Sequence, residues 1–215
     1  MMKKIIIPKI LIDATDINQV ANRLETLCVN KIDTVNWPDA YPSKPDVTFA
    51  MAHNGENILL QYRVKENEIL AVVTKDNGEV WTDSCVEMFL SFDNQHYYNA
   101  EFTCIGKALL GYRKFGEKAV HASEQTMRSI VRQSTLGTAN RGKEIGNFDW
   151  TLTLIIPCTA FWQSGINGFD GLQAKGNFYK CGDNLSVPHF VSWNKIETPK
   201  PSFHQPSFFG ELFFE

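Results

Sequence analysis

Apolar and polar residues alternate along most of the chain in many short segments, a pattern that predicts β-strands. The clearest segment is 57–64, in which every second residue is apolar. Turn signals such as His53-Asn54-Gly55 and Asp76-Asn77-Gly78 separate such segments. The same criteria predict further strands at 5–12, 47–52, 69–74, 80–92, 97–102, 107–112, 127–133, 148–156, 171–179, 189–193 and 210–214.

Helical periodicity is clear in one place, 17–28, where apolar residues recur three to four apart behind a capping Thr15 or Asp16. A second, short helix is predicted at 158–162. The chain shows neither β-α alternation nor an internal repeat. We therefore predict an all-β protein, an antiparallel β-sandwich or jelly roll, with an N-terminal strand and one helix appended. Residues 1–35 are the predicted appendage, and 36–215 the predicted sandwich domain.

Composition narrows the functional classes. The 215 residues are 43% hydrophobic and carry a net charge of −3. This charge gives no broad basic field, which argues against a nucleic-acid partner. The sequence contains no run of about 18 apolar residues, so we predict no membrane span. The first residues also lack the apolar core of a secretion signal. A cytoplasmic location is the default expectation, and a secreted or periplasmic one applies if a signal was removed.

The five cysteines, at 28, 85, 104, 158 and 181, are widely spaced and form no C-x-x-C pair. We predict buried free thiols rather than a zinc ribbon or a redox motif. The histidines do not cluster at metal-ligand spacing. Neither pattern predicts a cofactor or a metal site.

Segment 81–92 holds the most informative chemistry. If it is one strand, its period of two places Trp81, Asp83 and Glu87 together on the face turned away from the apolar core. An indole ring can stack on the flat side of a sugar, and carboxylates can accept bonds from its hydroxyls. The pattern favours a carbohydrate site. A loop-covered Trp beside two solvated acids is the alternative interpretation.

Three motifs, in the same order, resemble family 9 carbohydrate-binding modules. The stretch 81–89 is similar to the family's W-x-x-D-S-V-E-x-F, with one residue fewer between Trp and Asp. Segment 191–193 resembles its I-S-W element, and 203–212 its closing W-x-x-P-x-x-F-G-x-L. The likeness covers roughly residues 36–215 and is greatest to a free-standing, bacterial subgroup.

The resemblance implies a β-sandwich that binds a glucan- or xylan-type saccharide between two aromatic rings. Carried over to this chain, Trp81 takes one clamp position and Phe203 replaces the family's second Trp. Glu87 matches a carboxylate that bonds sugar hydroxyls. The corresponding stretch 101–104 lacks the Arg that the family places on the next strand. The family also has structural calcium, although no Asp/Asn-rich loop marks a calcium site here.

Several neighbours complete the predicted carbohydrate site. Asp83 shares the face of Glu87, and His204 lies beside Phe203, where it could donate to a hydroxyl. Lys180 and Asp183 flank Gly182, and ordinary turn chemistry is their alternative interpretation. We expect a carbohydrate partner and no membrane partner; the sequence leaves the oligomeric state open.

Three other functions remain as alternatives. A glycoside-processing enzyme would need a carboxylate pair about 5–9.5 Å apart. Asp83 and Glu87 on one strand would be about 13 Å apart at ~3.3 Å per residue, which disfavours that pair. A ligand-free structural or interaction sandwich is the second alternative. Haem binding is the third, and it lacks a C-x-x-C-H motif. We predict non-catalytic binding.

Overall fold

Fourteen strands and two short helices form the regular structure of residues 2–215, which the computed structural model describes. The helices are α1 (Ile17–Glu25) and α2 (Glu124–Ser129). Neither is long and apolar enough to cross a membrane, and residues 2–215 contain no other α-helix. The strands are β1 (Lys4–Ile7), β2 (Asn30–Lys31), β3 (Thr34–Val35), β4 (Asp46–His53), β5 (Asn57–Ala71), β6 (Cys85–Ser91), β7 (His96–Thr103), β8 (Ala108–Lys114), β9 (Val120–His121), β10 (Val131–Ser134), β11 (Arg141–Pro157), β12 (Gln173–Cys181), β13 (Phe190–Ser192) and β14 (Gly210–Phe214).

The strands form two sheets. The larger, nine-stranded sheet has the order β1-β14-β12-β6-β7-β8-β9, with β13 beside β12 and β3 beside β13. The smaller sheet has the order β10-β11-β5-β4-β2. Neighbouring strands are antiparallel except β1 and β14, which run parallel. The prediction of an all-β sandwich is confirmed.

The main core lies between the sheets and follows from strand alternation. In β6, Val86, Met88 and Leu90 are fully buried on the face turned toward the smaller sheet, here called the inner face. Across the interface, Phe178 of β12 stacks on Phe49 of β4 with ring centroids 3.9 Å apart. Burying each such side chain contributes about 1.5–3 kcal/mol to stability.

The opposite face of the nine-stranded sheet, here called the outer face, carries a second buried cluster. Phe89, Tyr97 and Tyr179 point outward from β6, β7 and β12 and are almost fully buried. Segments 37–45 and 196–209 cross this face and cover it. Trp37 and Phe203 belong to the same cluster, and the Trp37 indole Nε1 donates to the carbonyl of Thr198 at 2.7 Å. A covered outer face with gaps between the covering segments can hold a ligand.

The predicted N-terminal appendage is built into the sandwich. Strand β1 pairs with β14, β2 with β4, and β3 with β13, so that residues before 36 supply strands to both sheets. Helix α1 begins after Asp16, whose Oδ1 accepts from the backbone N–H of Asn18 at 2.9 Å. Its buried Val20 and Leu24 pack on the smaller sheet in a cluster with Ala52 and Leu59.

Three local predictions were wrong. The strand predicted at 80–92 is a 3₁₀ turn, Val80–Thr82, followed by β6, because the Asp83 N–H bonds back to the carbonyl of Val80. The strands predicted at 57–64 and 69–74 are largely one strand, β5, which pairs with β11 as far as Ala71. Met127 lies in α2, which Ser123 caps, and not in a strand.

Candidate functional site

A cavity of about 590 Å³ lies on the outer face of the nine-stranded sheet. Its floor is made by β6, β7, β8 and β12. The turn at 77–81 forms one wall, and segment 201–204 with Phe190 forms another. Of the predicted site residues, Trp81, Glu87, Asp183, Phe203 and His204 line this cavity.

Strand register brings two glutamates and an asparagine together on the cavity floor. Glu87 of β6 lies directly opposite Glu101 of β7, and Asn99 is two residues from Glu101 on the same face. The Asn99 amide Nδ2 donates to Glu101 Oε1 at 2.8 Å. All three side chains are at most 4% exposed, yet polar. A buried floor of this kind is unusual for a surface that binds nothing.

Three buried polar atoms of the cavity lack a hydrogen-bond partner among residues 2–215. They are Asn99 Oδ1, Glu101 Oε2 and Arg113 Nε. An unsatisfied buried polar group costs about 1–3 kcal/mol, so native proteins contain few of them. Two orphaned acceptors and one orphaned donor around one cavity indicate a place for a hydroxyl-bearing ligand or for water.

Burial sets the protonation of the cavity carboxyls. It raises the pKa of Glu101 to about 7, although the Asn99 hydrogen bond and the charge of Arg113 oppose the rise. Burial also raises the pKa of Asp183 to about 6 and that of Glu87 well above its usual range. A raised pKa keeps a carboxyl protonated to a higher pH, and a protonated carboxyl can donate as well as accept hydrogen bonds.

Trp81 reaches the cavity from the 3₁₀ turn that precedes β6. Val80 is fully buried and anchors this turn, and the half-buried Trp81 ring forms part of the cavity wall. The Trp81 carbonyl accepts from the backbone N–H of Asp183 at 3.3 Å. This bond ties the turn to the segment that follows β12. Trp81 thus lines the site through local turn geometry and not through the strand alternation expected from the sequence.

Phe203 is only 9% exposed and presents a limited surface to the cavity. One face of its ring stacks on Tyr179, with centroids 4.2 Å apart and planes at 9°. The Tyr179 hydroxyl also donates to the carbonyl of Phe203 at 3.1 Å. Tyr179 therefore belongs to the support of the site. Trp37 and Phe190 also pack on Phe203, with ring centroids 6.3 and 6.0 Å away, so only a small part of its ring is left to a ligand.

His204 is held as a neutral group next to Phe203. Its Nδ1 lies 3.1 Å from the Tyr97 hydroxyl, and its ring packs on Phe89. Burial, with a smaller contribution from the charge of Arg113, lowers its pKa to about 4. The imidazole can therefore donate or accept one hydrogen bond at neutral pH without adding charge.

Asp83 does not line the cavity. Its side chain is fully buried below the turn, where Oδ2 accepts from the backbone N–H of Val73 at 2.9 Å. Because β6 starts only at Cys85, strand alternation does not carry Asp83 to the face of Glu87.

Lys180 lies on the inner face and not in the cavity, because β12 extends through Cys181 and alternation turns Lys180 toward the smaller sheet. Its Nζ is 2.9 Å from Glu66 Oε2, an ion pair without hydrogen-bond alignment. The same ammonium lies 2.9 Å from His189 Nε2. Glu66 in turn accepts from Trp150 Nε1 at 2.8 Å. This network belongs to the interior.

Sequence reasoning missed Asn99, Glu101 and Arg113. The expected arginine was sought on β7, within 101–104, but Arg113 reaches the cavity from β8. The signal for the other two was present, since Asn99 and Glu101 are alternate polar residues in the middle of β7, between aromatic residues and alanine.

Comparison with known families gives this arrangement a context. The profile of the family described as carbohydrate-binding family 9 matches residues 16–214. The chain belongs to carbohydrate-binding family 9. Its members are non-catalytic carbohydrate-binding modules. The match begins within the segment that the sequence analysis set apart as residues 1–35. Among curated proteins, no significant match was found.

Solved structures share the family 9 fold. A protein from Bacteroides uniformis, described as a candidate carbohydrate-binding protein, is 40% identical with a TM-score of 0.95, and each chain covers 100% of the other. A family 9 module from Caldicellulosiruptor kristjanssonii in complex with glucose is 13% identical with a TM-score of 0.54, covering 99% of this chain and 96% of the module. The corresponding cellotriose complex is 14% identical with a TM-score of 0.55, covering 99% and 94%. The two likenesses to the module show the fold.

One group of side chains in residues 2–215 brings three His, Cys, Asp or Glu ligand atoms close together: Cys85, Glu87 and Cys181. Calcium takes six to eight oxygen ligands, and two thiols do not suit it. This group therefore does not fit the calcium implied by the resemblance, and structural calcium stays a prediction without an assigned site.

Proposed function

We propose that the chain binds a neutral glucan- or xylan-type saccharide, without catalysis, in the outer-face cavity. The observation that carries this proposal is the set of orphaned buried atoms on the cavity floor, Asn99 Oδ1 and Glu101 Oε2 as acceptors and Arg113 Nε as donor. Sugar hydroxyls donate and accept at once, so one ring can satisfy all three atoms. The solved relatives with glucose and cellotriose support this ligand class.

The proposed mechanism combines the half-buried ring of Trp81 with a polar floor. Trp81 stacks on the apolar side of the sugar, and Phe203 contacts it with the surface that Tyr179 leaves free. Hydroxyls bond to Glu87, Glu101 and Asn99, while Asp183 and His204 bond from the walls. Asp83 and Lys180 lie outside the cavity and take no part. Because each bond replaces one to water, we expect weak affinity.

The test is calorimetric titration with glucose and with cello-, xylo- and manno-oligosaccharides. We expect binding that falls about tenfold or more in Trp81→Ala, since an aromatic contact contributes about 0.5–1.5 kcal/mol beyond its buried area. Trp162→Ala is the matched control, because Trp162 is also half-buried but packs on Tyr98 away from the cavity. If none of these sugars binds the wild type, the chain is a ligand-free sandwich and the proposal is wrong.

The glycoside-processing alternative is tested separately. Glu101 and Asp183 have pKa values of about 7 and 6, in the range used by general acids. We propose that these pKa values result from the burial of groups that bind the ligand, and not from a role in catalysis. The members of family 9 are likewise non-catalytic. Prolonged incubation with cello- and xylo-oligosaccharides should therefore release no new reducing ends. Release that disappears in Glu101→Gln would establish an enzyme instead.

A further inference from the structure

Two cysteines and a glutamate form an unassigned cluster at the floor of the outer-face cavity. Cys85 and Cys181 are directly opposite residues of β6 and β12, and Glu87 is two residues beyond Cys85 on the same face. One ligand atom from each side chain lies within 4.8 Å of the others. Each residue is at most 3% exposed. Antiparallel register alone therefore brings two thiols and a carboxylate to one point.

We propose that Cys85, Cys181 and Glu87 bind a single Zn²⁺ or similar thiophilic divalent cation. Two atoms bonded to one tetrahedral Zn²⁺ lie about 3.5–3.8 Å apart, given Zn–S bonds of about 2.3 Å and Zn–O bonds of about 2.0–2.2 Å. The cluster is already close to this spacing. Cys181 Sγ and Glu87 Oε1 lie 3.0 Å apart and need to separate only slightly.

The chemistry of the set selects the cation. Thiolates favour zinc and other soft ions over calcium or magnesium. Three protein ligands with one open position are typical of zinc sites that exchange their fourth ligand. Glu87 and Cys181 both line the cavity, so the open position faces it and takes water. The proposal does not depend on sugar binding.

Burial keeps the thiols protonated in the unliganded protein, although the charge of Lys180 opposes this for Cys85. Burial raises the pKa of Cys85 to about 12 and that of Cys181 well above its usual range. A coordinated thiol loses its proton outright. Binding therefore forms two Zn–S bonds and one Zn–O bond and releases the two thiol protons, with that of Glu87 where present, to solvent.

The experiment uses reduced, chelator-treated wild-type protein titrated with Co²⁺ and then Zn²⁺ under anaerobic conditions. We expect one Co²⁺ per chain with a thiolate-to-cobalt charge-transfer band that Zn²⁺ bleaches. The band should be lost in Cys85→Ser and Cys181→Ser. Glu87→Gln should weaken binding by at least about tenfold, since even the loss of an outer partner of a metal ligand costs about 10–100-fold. Cys104→Ser is the matched control, since Cys104 is equally buried but lies in the main core.

Two measurements on the wild type keep the test valid if a variant fails to fold. X-ray absorption of the zinc-loaded protein should show two sulfur neighbours at about 2.3 Å. Saturating Zn²⁺ should also raise the unfolding temperature, because the ion binds the folded state. The proposal is overturned if the reduced wild type binds neither ion stoichiometrically. It is also overturned if both serine variants keep the charge-transfer band, or if the two cysteines form a disulfide while the reduced protein binds no metal. Because Glu87 belongs to both proposals, sugar titrations of the metal-free wild type and of Cys104→Ser test the proposed function independently.

Discussion

Strand β7 shows how differently the two faces of the nine-stranded sheet are built. Its inner-face residues Tyr98, Ala100 and Phe102 belong to the main core between the sheets. Its outer-face residues Asn99 and Glu101 are as well buried, yet they are polar and keep orphaned atoms. The side chains on the two faces of β7 are therefore equally buried. The faces differ because only the outer-face side chains contain buried polar atoms that lack a hydrogen-bond partner.

The inner face also contains charge, but there the chain itself supplies the partners. The Lys180 ammonium is surrounded by Glu66, His189 and the carbonyl of Cys181, each at 2.9 Å. On the outer face, Arg113 Nε and Glu101 Oε2 have no such partners among residues 2–215. Single orphaned atoms also occur at His53, Glu66 and Asp83, so the outer face differs in bringing three such atoms to one cavity, where a single ligand can reach them all.

The largest expected effect comes from breaking the inner-face ion pair. Lys180→Met leaves Glu66 buried without its cation, and such a loss destabilises a protein by about 3–5 kcal/mol. Urea denaturation should show this loss, while the folded fraction keeps its sugar affinity. The double variant Glu66→Gln/Lys180→Met should recover most of the stability. A loss below about 1 kcal/mol in the single variant would contradict the role of this pair.

A smaller effect comes from His204, which lies on the outer face. The pKa of His204 is about 4 in the fold and about 6.5 in the unfolded chain. Between these values the unfolded chain binds more protons, so the contribution of His204 to stability is present above pH ~6.5 and is lost as the pH falls toward ~4. The expected loss is on the order of 3 kcal/mol.

Urea midpoints measured across this pH range for the wild type and His204→Asn isolate the histidine. The cavity carboxyls Glu101 and Asp183 have raised pKa values and act in the opposite direction, but they are present in both proteins and cancel in the difference. Arg113 and the Tyr97 hydroxyl, which face the imidazole, are likewise unchanged. Identical pH profiles for the two proteins would show that His204 is not held neutral by burial.

Glu101→Gln sharpens the comparison between stability and function. Loss of a charge-capable acceptor should weaken sugar binding about tenfold, corresponding to about 1.4 kcal/mol. Stability should stay constant or rise, because an incompletely bonded buried carboxyl is removed. Calorimetry measures the sugar affinity of the variant, and urea denaturation of the same sample measures its stability. Unchanged sugar affinity would show that Glu101 does not bind the sugar.

The smallest expected effect comes from Gly111, which lies opposite Asn99 on β8. A Cβ at this position would come within 2.6 Å of Asn99 Oδ1, so Gly111→Ala should displace that acceptor. We expect affinity to fall a few fold, with a stability change within about 1 kcal/mol. Gly142→Ala, where a Cβ meets nothing within 4 Å, is the control. Equal affinity in both variants would contradict a role for the Asn99 carbonyl.

The sequence predicted the fold well because the alternation of apolar and polar residues along a strand directly reflects which side chains are buried. Most strands were placed correctly, and the inner-face residues of β6 follow the predicted period. The errors arose where local hydrogen bonds override alternation, as at Val80–Thr82 and at the Ser123 cap of α2. The integration of residues 1–35 depends on pairing with β4, β13 and β14, which no local pattern can specify.

The candidate site was only partly predictable. Trp81, Glu87 and Phe203 came from motifs, and the structure brings all three to one cavity. Asp83 and Lys180 failed to reach it because a shift of strand boundaries by a few residues changes which face a side chain occupies. Glu101 and Arg113 join the cavity through the register of three neighbouring strands, which a single sequence does not reveal.

The parallel pairing of β1 with β14 gives the molecule a mechanical property. Lys4 lies opposite Glu211 and Ile7 opposite Phe214, so the first and last strands lie side by side and point the same way. A pull applied between the two ends of the chain would load the hydrogen bonds of this pair together, in shear, and not one after another. The paired strands β1 and β14 therefore resist extension of the chain segment that lies between them.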